Sequence, residues 1–217
     1  MLYILVIYVF YTRFVSRLKT ELFNLYLHQL PGNLQSKILK YRKWQDSQRS
    51  LLGKALLLKG LDYLSLSKYS LYDLKFTKLE RPYFDNFIDF NISHAGEYVI
   101  CAISLTGKIG VDVEDIQDIS IEDFENNFSS KEWEDILKAS NKLYSFYEYW
   151  TKKEAFLKAI GIGLNIPLNK TEILDNRIIF NNTEWFLNEI KIDERYISHF
   201  SSQISVPEVI IRKIDFD

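Results

Sequence analysis

Two stretches of this chain carry residues whose types and spacing suit chemistry on an anion. In Gly110-Val-Asp112-Val-Glu114, two carboxylates alternate with valines. A strand is the natural form of such a run, and it sends Asp112 and Glu114 to one face while Val111 and Val113 go to the other. In Trp150-Thr-Lys-Lys153-Glu154-Ala-Phe-Leu-Lys158, Glu154 stands one helical turn before Lys158, on the same side of a helix. Packed together, the two elements bring three carboxylates and a lysine to one place. Oxygen ligands of this kind suit a hard divalent cation such as Mg²⁺, with open positions left for a substrate diphosphate.

The stripe carrying Glu154 also holds Tyr147, Trp150, Leu157 and Gly161, so this carboxylate lies on an inward face and needs a cation or a hydrogen-bond network. His94 lies in Asn91-Ile-Ser93-His94-Ala-Gly96, a polar segment with small residues that permits close ligand approach. His28 and His199 have no such context and read as surface or core filling, and Cys101 as a small buried residue.

The elements that must position these groups follow from periodicity. Apolar residues 1–10 read as a buried first strand, ended by Arg13 and Arg17 well short of a bilayer span and without a signal-peptide pattern. Residues 15–30 read as a helix closed by Pro31-Gly32, and 37–59 as one or two helices ending at Gly60. Strands are expected at 87–92 and 97–104. Thr106-Gly107 supplies a turn, and 108–116 is expected to return as the hairpin partner of 97–104, gathering Ser93, His94, Asp112 and Glu114 along one edge. Residues 120–138 read as two acidic helical pieces with Ser130 as an N-cap, and 141–160 as a long helix closed at Gly161. The remainder reads as strands at 172–174, 177–180, 185–187 and 209–212. Mixed order, without regular alternation of strand and helix, makes the class α+β.

At 217 residues and 47% hydrophobic content the chain can bury a large core, and a net charge of −2 gives no global reason to bind nucleic acid. One cysteine excludes an internal disulfide framework and fits a reducing compartment. The expectation is a soluble, cytoplasmic protein without a membrane span.

Taken in series, Asn91-Ile-Ser-His94, Gly110-Val-Asp-Val-Glu114 and Trp150-x-x-Lys153-Glu-Ala-x-x-Lys158 resemble the signature blocks of the 4'-phosphopantetheinyl transferases of the surfactin-synthetase-activating type. Arg49-Ser-Leu-Leu-Gly53, Arg81-Pro82 and Phe128-Ser-x-x-Glu132 resemble further motifs of that family, in order over residues 37–167. The resemblance implies transfer of phosphopantetheine from coenzyme A to a serine of an apo acyl, peptidyl or aryl carrier protein, with 3',5'-ADP leaving. It implies that Asp112, Glu114 and Glu154 hold Mg²⁺, that Lys158 neutralises the transferred phosphate, and that Lys37, Arg49, Arg81, Ser93 and His94 handle the nucleotide. Glu154, Glu132 or a metal-bound water would accept the serine proton. The implied fold is two similar α+β halves related by a pseudo-twofold axis, 1–106 and 107–217, and a monomer is expected. One departure is Glu80-Arg81 before Pro82, where glycine-lysine is common; arginine keeps the charge and changes the contact geometry. Two other readings are a carrier-binding homologue without transfer activity and a different Mg²⁺-dependent diphosphate-cleaving enzyme.

Overall fold

A computed structural model describes residues 5–85, 87–163 and 166–216. The apolar opening run becomes β1 (Val6–Arg13), with residues 1–4 of the expected strand outside the described residues. The expected helix at 15–30 is shorter, α1 (Thr20–Leu27), and 37–59 resolves into α2 (Gly32–Leu39) and α3 (Trp44–Tyr63). Two short strands follow, β2 (Lys75–Phe76) and β3 (Pro82–Tyr83), then the long hairpin of β4 (Asp89–Ala95) and β5 (Tyr98–Ser104). Gly96 turns this hairpin with φ +49°, the left-handed region that glycine enters without strain.

The second half runs from β6 (Ile109–Asp115) through α4 (Ser130–Lys138) and α5 (Lys142–Ile160) to β7 (Arg177–Phe180), β8 (Thr183–Glu189), β9 (Tyr196–Ser202) and β10 (Glu208–Lys213). One sheet has the order β10-β1-β5-β4 and the other β6-β9-β8-β7. In each, the half's first strand pairs antiparallel with a later one, β1 with β5 and β6 with β9, so that β1-β5-β4 and β6-β9-β8 follow one pattern while the fourth strands, β10 and β7, flank opposite ends of it. The halves are not cleanly cut at 106/107, because β10 crosses back to pair in parallel with β1, and Phe216 joins the first half's core. Ile7, Val9, Ile100, Ala102, Val111 and Phe200 fill the space between the sheets, with α3 outside the first sheet and α5 outside the second. Among the described residues, no helix is long and apolar enough to cross a membrane.

Three sequence expectations are corrected. The 108–116 strand is not the hairpin partner of 97–104. Both edges of β5 are taken by β1 and β4, and β6 pairs with β9 in the other sheet. The N-cap of α4 is Ser129 rather than Ser130, in a capping box with Glu132. The expected strand at 172–174 is a single bridge from Leu174 to Arg177.

β4 and β6 nevertheless lie side by side, joined by side chains in place of a backbone ladder. Asp89 Oδ2 accepts from Ile109 N at 2.8 Å, and Asn91 Oδ1 accepts from Val111 N at 3.0 Å. A sheet-edge N–H buried without a partner is costly, and alternate residues of β4 meet that need on β6. The next residue in the same alternation is Ser93, which reaches Asp112.

Candidate active site

β6 presents Gly110, Asp112 and Glu114 to α5 and turns Val111 and Val113 to the inter-sheet core, as the alternation predicts. Gly110 allows the close approach, since a Cβ there would lie 2.0 Å from Ala155 O and 2.3 Å from Ala159 N. α5 is thereby held with Glu154 and Lys158 over Asp112. Asn141 caps its start by accepting from Tyr144 N, and Gly161, at φ +73°, ends it.

A cavity of about 370 Å³ is lined by Ser93, His94, Asp112, Glu114, Trp150, Glu154 and Lys158, among others. The four residues expected at the metal and phosphate end, Asp112, Glu114, Glu154 and Lys158, therefore converge, with Ser93 and His94, expected to handle the nucleotide, at the same opening. Lys158 Nζ donates to Ser93 Oγ at 2.9 Å and to Asp112 Oδ1, and Ser93 Oγ donates to Asp112 Oδ1 at 3.0 Å. Burial pushes the Glu114 carboxyl up to about 7, with Asp112 adding to the shift and with Lys158 and the Trp150 indole N–H opposing it. Burial also raises Glu154, helped by Asp112 and opposed by Lys158. Protein crowding lowers the His94 imidazole, and the cations of Arg49, Lys158 and Lys54 push the same way.

The donor set fits a hard divalent cation. Asp112 Oδ2 is buried with no hydrogen-bond partner, and two further carboxylates are crowded into the cavity at a cost that a cation would relieve. No cage is preformed. Among the described residues, no group of three His, Cys, Asp or Glu side chains is gathered closely enough to hold a metal. Mg²⁺ sites that substrate phosphates and water complete are commonly open in this way.

The remaining expected residues divide. Lys37 lines a second, more apolar cavity of about 150 Å³ with Ser50, Lys54 and Glu80, and Ile92 borders both cavities. Lys54, at i+4 from Ser50 and donating to its Oγ at 3.1 Å, is a cation that the sequence reading missed; its place directly after Gly53 is the only sequence signal. Burial lowers its pKa to about 8, with Lys37 adding to the shift. Arg49 lies near His94 but holds the turn, donating from Nε (2.9 Å) and Nη2 (2.6 Å) to Gly96 O and pairing with Asp46.

Two assignments are corrected. Arg81 does not stand free for a nucleotide phosphate: it forms a buried two-point ion pair with Asp89 and donates to two backbone carbonyls. Glu132 is not in the cavity. It is buried, caps Ser129 N at 2.8 Å, accepts from Ile173 N at 2.9 Å and pairs with Lys153 at 2.8 Å. Lys153 is itself fully buried and bonded to Leu168 O and Thr171 O. Glu132 lines a separate cavity with Lys131, Asp135 and Tyr149, away from Asp112 and Glu154. Of the two readings left open for His199, surface or core, it takes the core, with its ring bonded to Thr151 Oγ1 at 2.8 Å and burial lowering it to about 3.

Known proteins match both halves. Residues 108–206 match the 4'-phosphopantetheinyl transferase superfamily, and residues 18–106 match the family described as 4'-phosphopantetheinyl transferase, N-terminal. The 4'-phosphopantetheinyl transferase gsp of Aneurinibacillus migulanus is 34% identical over 166 residues, 75% of this chain and 69% of that protein. The 4'-phosphopantetheinyl transferase Sfp of Bacillus subtilis is 33% identical over 147 residues, 64% of this chain and 63% of that protein. The chain thus spans about two thirds of the length of these relatives. A solved holo-[acyl-carrier-protein] synthase of Thermotoga maritima covers 44% of this chain and 61% of its own, with a TM-score of 0.36 and 18% identity, too loose a likeness to add weight. With both halves matched, and with a relative at this identity covered over most of its length, the chain belongs to the 4'-phosphopantetheinyl transferase family.

Proposed function

We propose that the protein transfers the 4'-phosphopantetheine of coenzyme A to a serine hydroxyl of an apo carrier protein, with Mg²⁺ held by Asp112, Glu114 and Glu154 and 3',5'-ADP released. The observation that carries this reading is the convergence of Lys158, Ser93 and Asp112 in one hydrogen-bonded group, beside two carboxylates that burial and the charge of Asp112 push upward.

Phosphoryl transfer asks a protein chiefly for positioning and for charge stabilisation. A cation on these carboxylates supplies charge neutralisation at the diphosphate. The protein's own groups do the rest. Lys158, on its short tether from the last turn of α5, presents an ammonium to the phosphate that is transferred. Ser93 and Asp112 hold that ammonium in place until the substrate arrives. The attacking serine must lose a proton. With Glu132 enclosed behind Lys153, Glu154, which lines the cavity, is the proposed acceptor among side chains. Lys37 and Lys54 in the adjoining cavity are proposed to meet the nucleotide end of coenzyme A, with His94 and Arg49 at its rim.

The direct test incubates the protein with coenzyme A, Mg²⁺ and apo acyl, peptidyl and aryl carrier proteins, followed by intact mass of each carrier. The expected result is a gain of one phosphopantetheine, blocked when the acceptor serine is replaced by alanine. Hydrolysis of coenzyme A with no adduct on any carrier would instead mark a diphosphate-cleaving enzyme.

Lys54 supports a second measurement. Because its pKa is depressed, the folded protein disfavours its charged form; that cost is present below about pH 8 and fades as pH rises from there towards 10.5. Lys54→Met is therefore expected to raise stability at pH 7 by about 1–2 kcal/mol, discounted for partial exposure, while weakening coenzyme A binding. Thermal unfolding and calorimetric titration check the two signs together.

A further inference from the structure

The end of α5 poses a problem that Arg81 solves. The last carbonyls of a helix have no partner within it, and a cation near them is favourable. Arg81 Nε donates to Lys158 O at 3.0 Å, and its side chain packs so closely on the helix end that a Cβ at Gly161 would meet Arg81 Cδ at 2.7 Å. Lys158 is thus held at both ends, its carbonyl by Arg81 and its ammonium by Ser93 and Asp112.

The same guanidinium reaches two further elements. Nη2 donates to Ile109 O at 2.9 Å on β6, three residues before Asp112. Nη1 and Nη2 meet the two Asp89 oxygens at 2.8 and 2.7 Å on β4, four residues before Ser93. Asp89 in turn accepts from Ile109 N, closing the loop. One buried ion pair therefore touches β4, β6 and α5, the three elements that carry Ser93, Asp112 and Lys158. A planar fork with several fixed donors suits this task, and lysine could not make all of these contacts.

We propose that the Arg81–Asp89 pair is a positioning clasp that sets Lys158 against Ser93 and Asp112, and that Arg81 acts through the Lys158 backbone without contacting substrate phosphate. The catalytic consequence rests on the transferase reading above; the mechanical one does not.

The experiment compares the full-length wild type with Arg81→Gln, Arg81→Lys and Asp89→Asn. Amide hydrogen exchange by mass spectrometry is expected to quicken about tenfold in segments 157–161 and 109–113 for Arg81→Gln and Asp89→Asn, with β8 and β9 unchanged. Turnover with coenzyme A and with dephospho-coenzyme A is expected to show kcat lowered about tenfold for both substrates, because a small displacement of an active-site group is enough to do so. The kcat/KM ratio between the two substrates should stay at its wild-type value. Unchanged exchange at 157–161 would overturn the clasp, as would a KM rise confined to coenzyme A, the mark of a contact to the 3'-phosphate. A lowered melting temperature with wild-type kcat would reduce the pair to a structural role and overturn positioning. If Arg81→Gln does not fold, Asp89→Asn and Arg81→Lys carry the same readouts. If the wild type modifies no carrier, the transferase reading fails, and hydrogen exchange alone decides the clasp.

Discussion

Glu154→Gln is expected to cut carrier modification by about 10²–10³-fold while the protein stays folded. The substitution keeps shape and hydrogen-bonding capacity and removes one negative charge from a cavity that holds three carboxylates. Burial raises the Glu154 pKa, and Asp112 adds to that shift, so the charged form costs the folded state free energy at neutral pH. The neutral amide relieves that cost. The melting temperature should therefore hold or rise slightly as activity collapses, which separates a lost function from a damaged fold. Initial rates of adduct formation, with a melting curve of the same sample, read both. Undiminished transfer by this variant would refute Glu154 as cation ligand and as proton acceptor alike.

The second large effect is on stability, and it lies at the pair of Lys153 with Glu132, the residue that the sequence reading placed in the chemistry. Lys153→Met should lower stability by about 3–5 kcal/mol, because it leaves Glu132 as an unpaired charge in the interior. For a chain of this size that corresponds to a fall in melting temperature of roughly 10 °C. Glu132 would keep its bonds to the backbone N–H groups of Ser129 and Ile173, which makes the lower end of the range the better estimate. Combining Lys153→Met with Glu132→Gln should recover much of the loss, since no charge is then stranded. Below the melting transition, kcat per folded molecule of the double variant should stay near wild type. A double variant that is stable but inactive would return Glu132 to the reaction.

These two results concern neighbours in the chain, Lys153 and Glu154, that face different surroundings. Adjacent helical residues point about 100° apart, so one enters the cavity and the other enters the packing beneath it. The sequence showed that Glu154 and Lys158 share a side of α5. It showed equally that Asp112 and Glu114 share a side of β6, because period-2 and period-3.6 patterns are local properties. The ends of α5 were also readable, from Asn141 and Gly161. β9 was not. Its Ser198, His199, Ser201 and Ser202 interrupt any apolar run, and no strand was expected there, yet the whole strand is buried between β6 and β8 and packs against α5.

Sequence alone, then, determined which carboxylates and which lysine share a face, and the family whose motifs they form. Tertiary structure decided who pairs with whom. Thr106-Gly107 between two apolar runs has the form of a hairpin turn, but the edges of β5 were already filled, and strand partners are chosen by long-range packing that no local pattern encodes. The gathering of Ser93 with Asp112 survived that error, because Asp89 and Asn91 join β4 to β6 by side chains. Burial likewise sorted the charged residues. Arg81 and Glu132 carry the same charges as the groups lining the cavity, and only the tertiary structure shows them enclosed in buried ion pairs with Asp89 and Lys153.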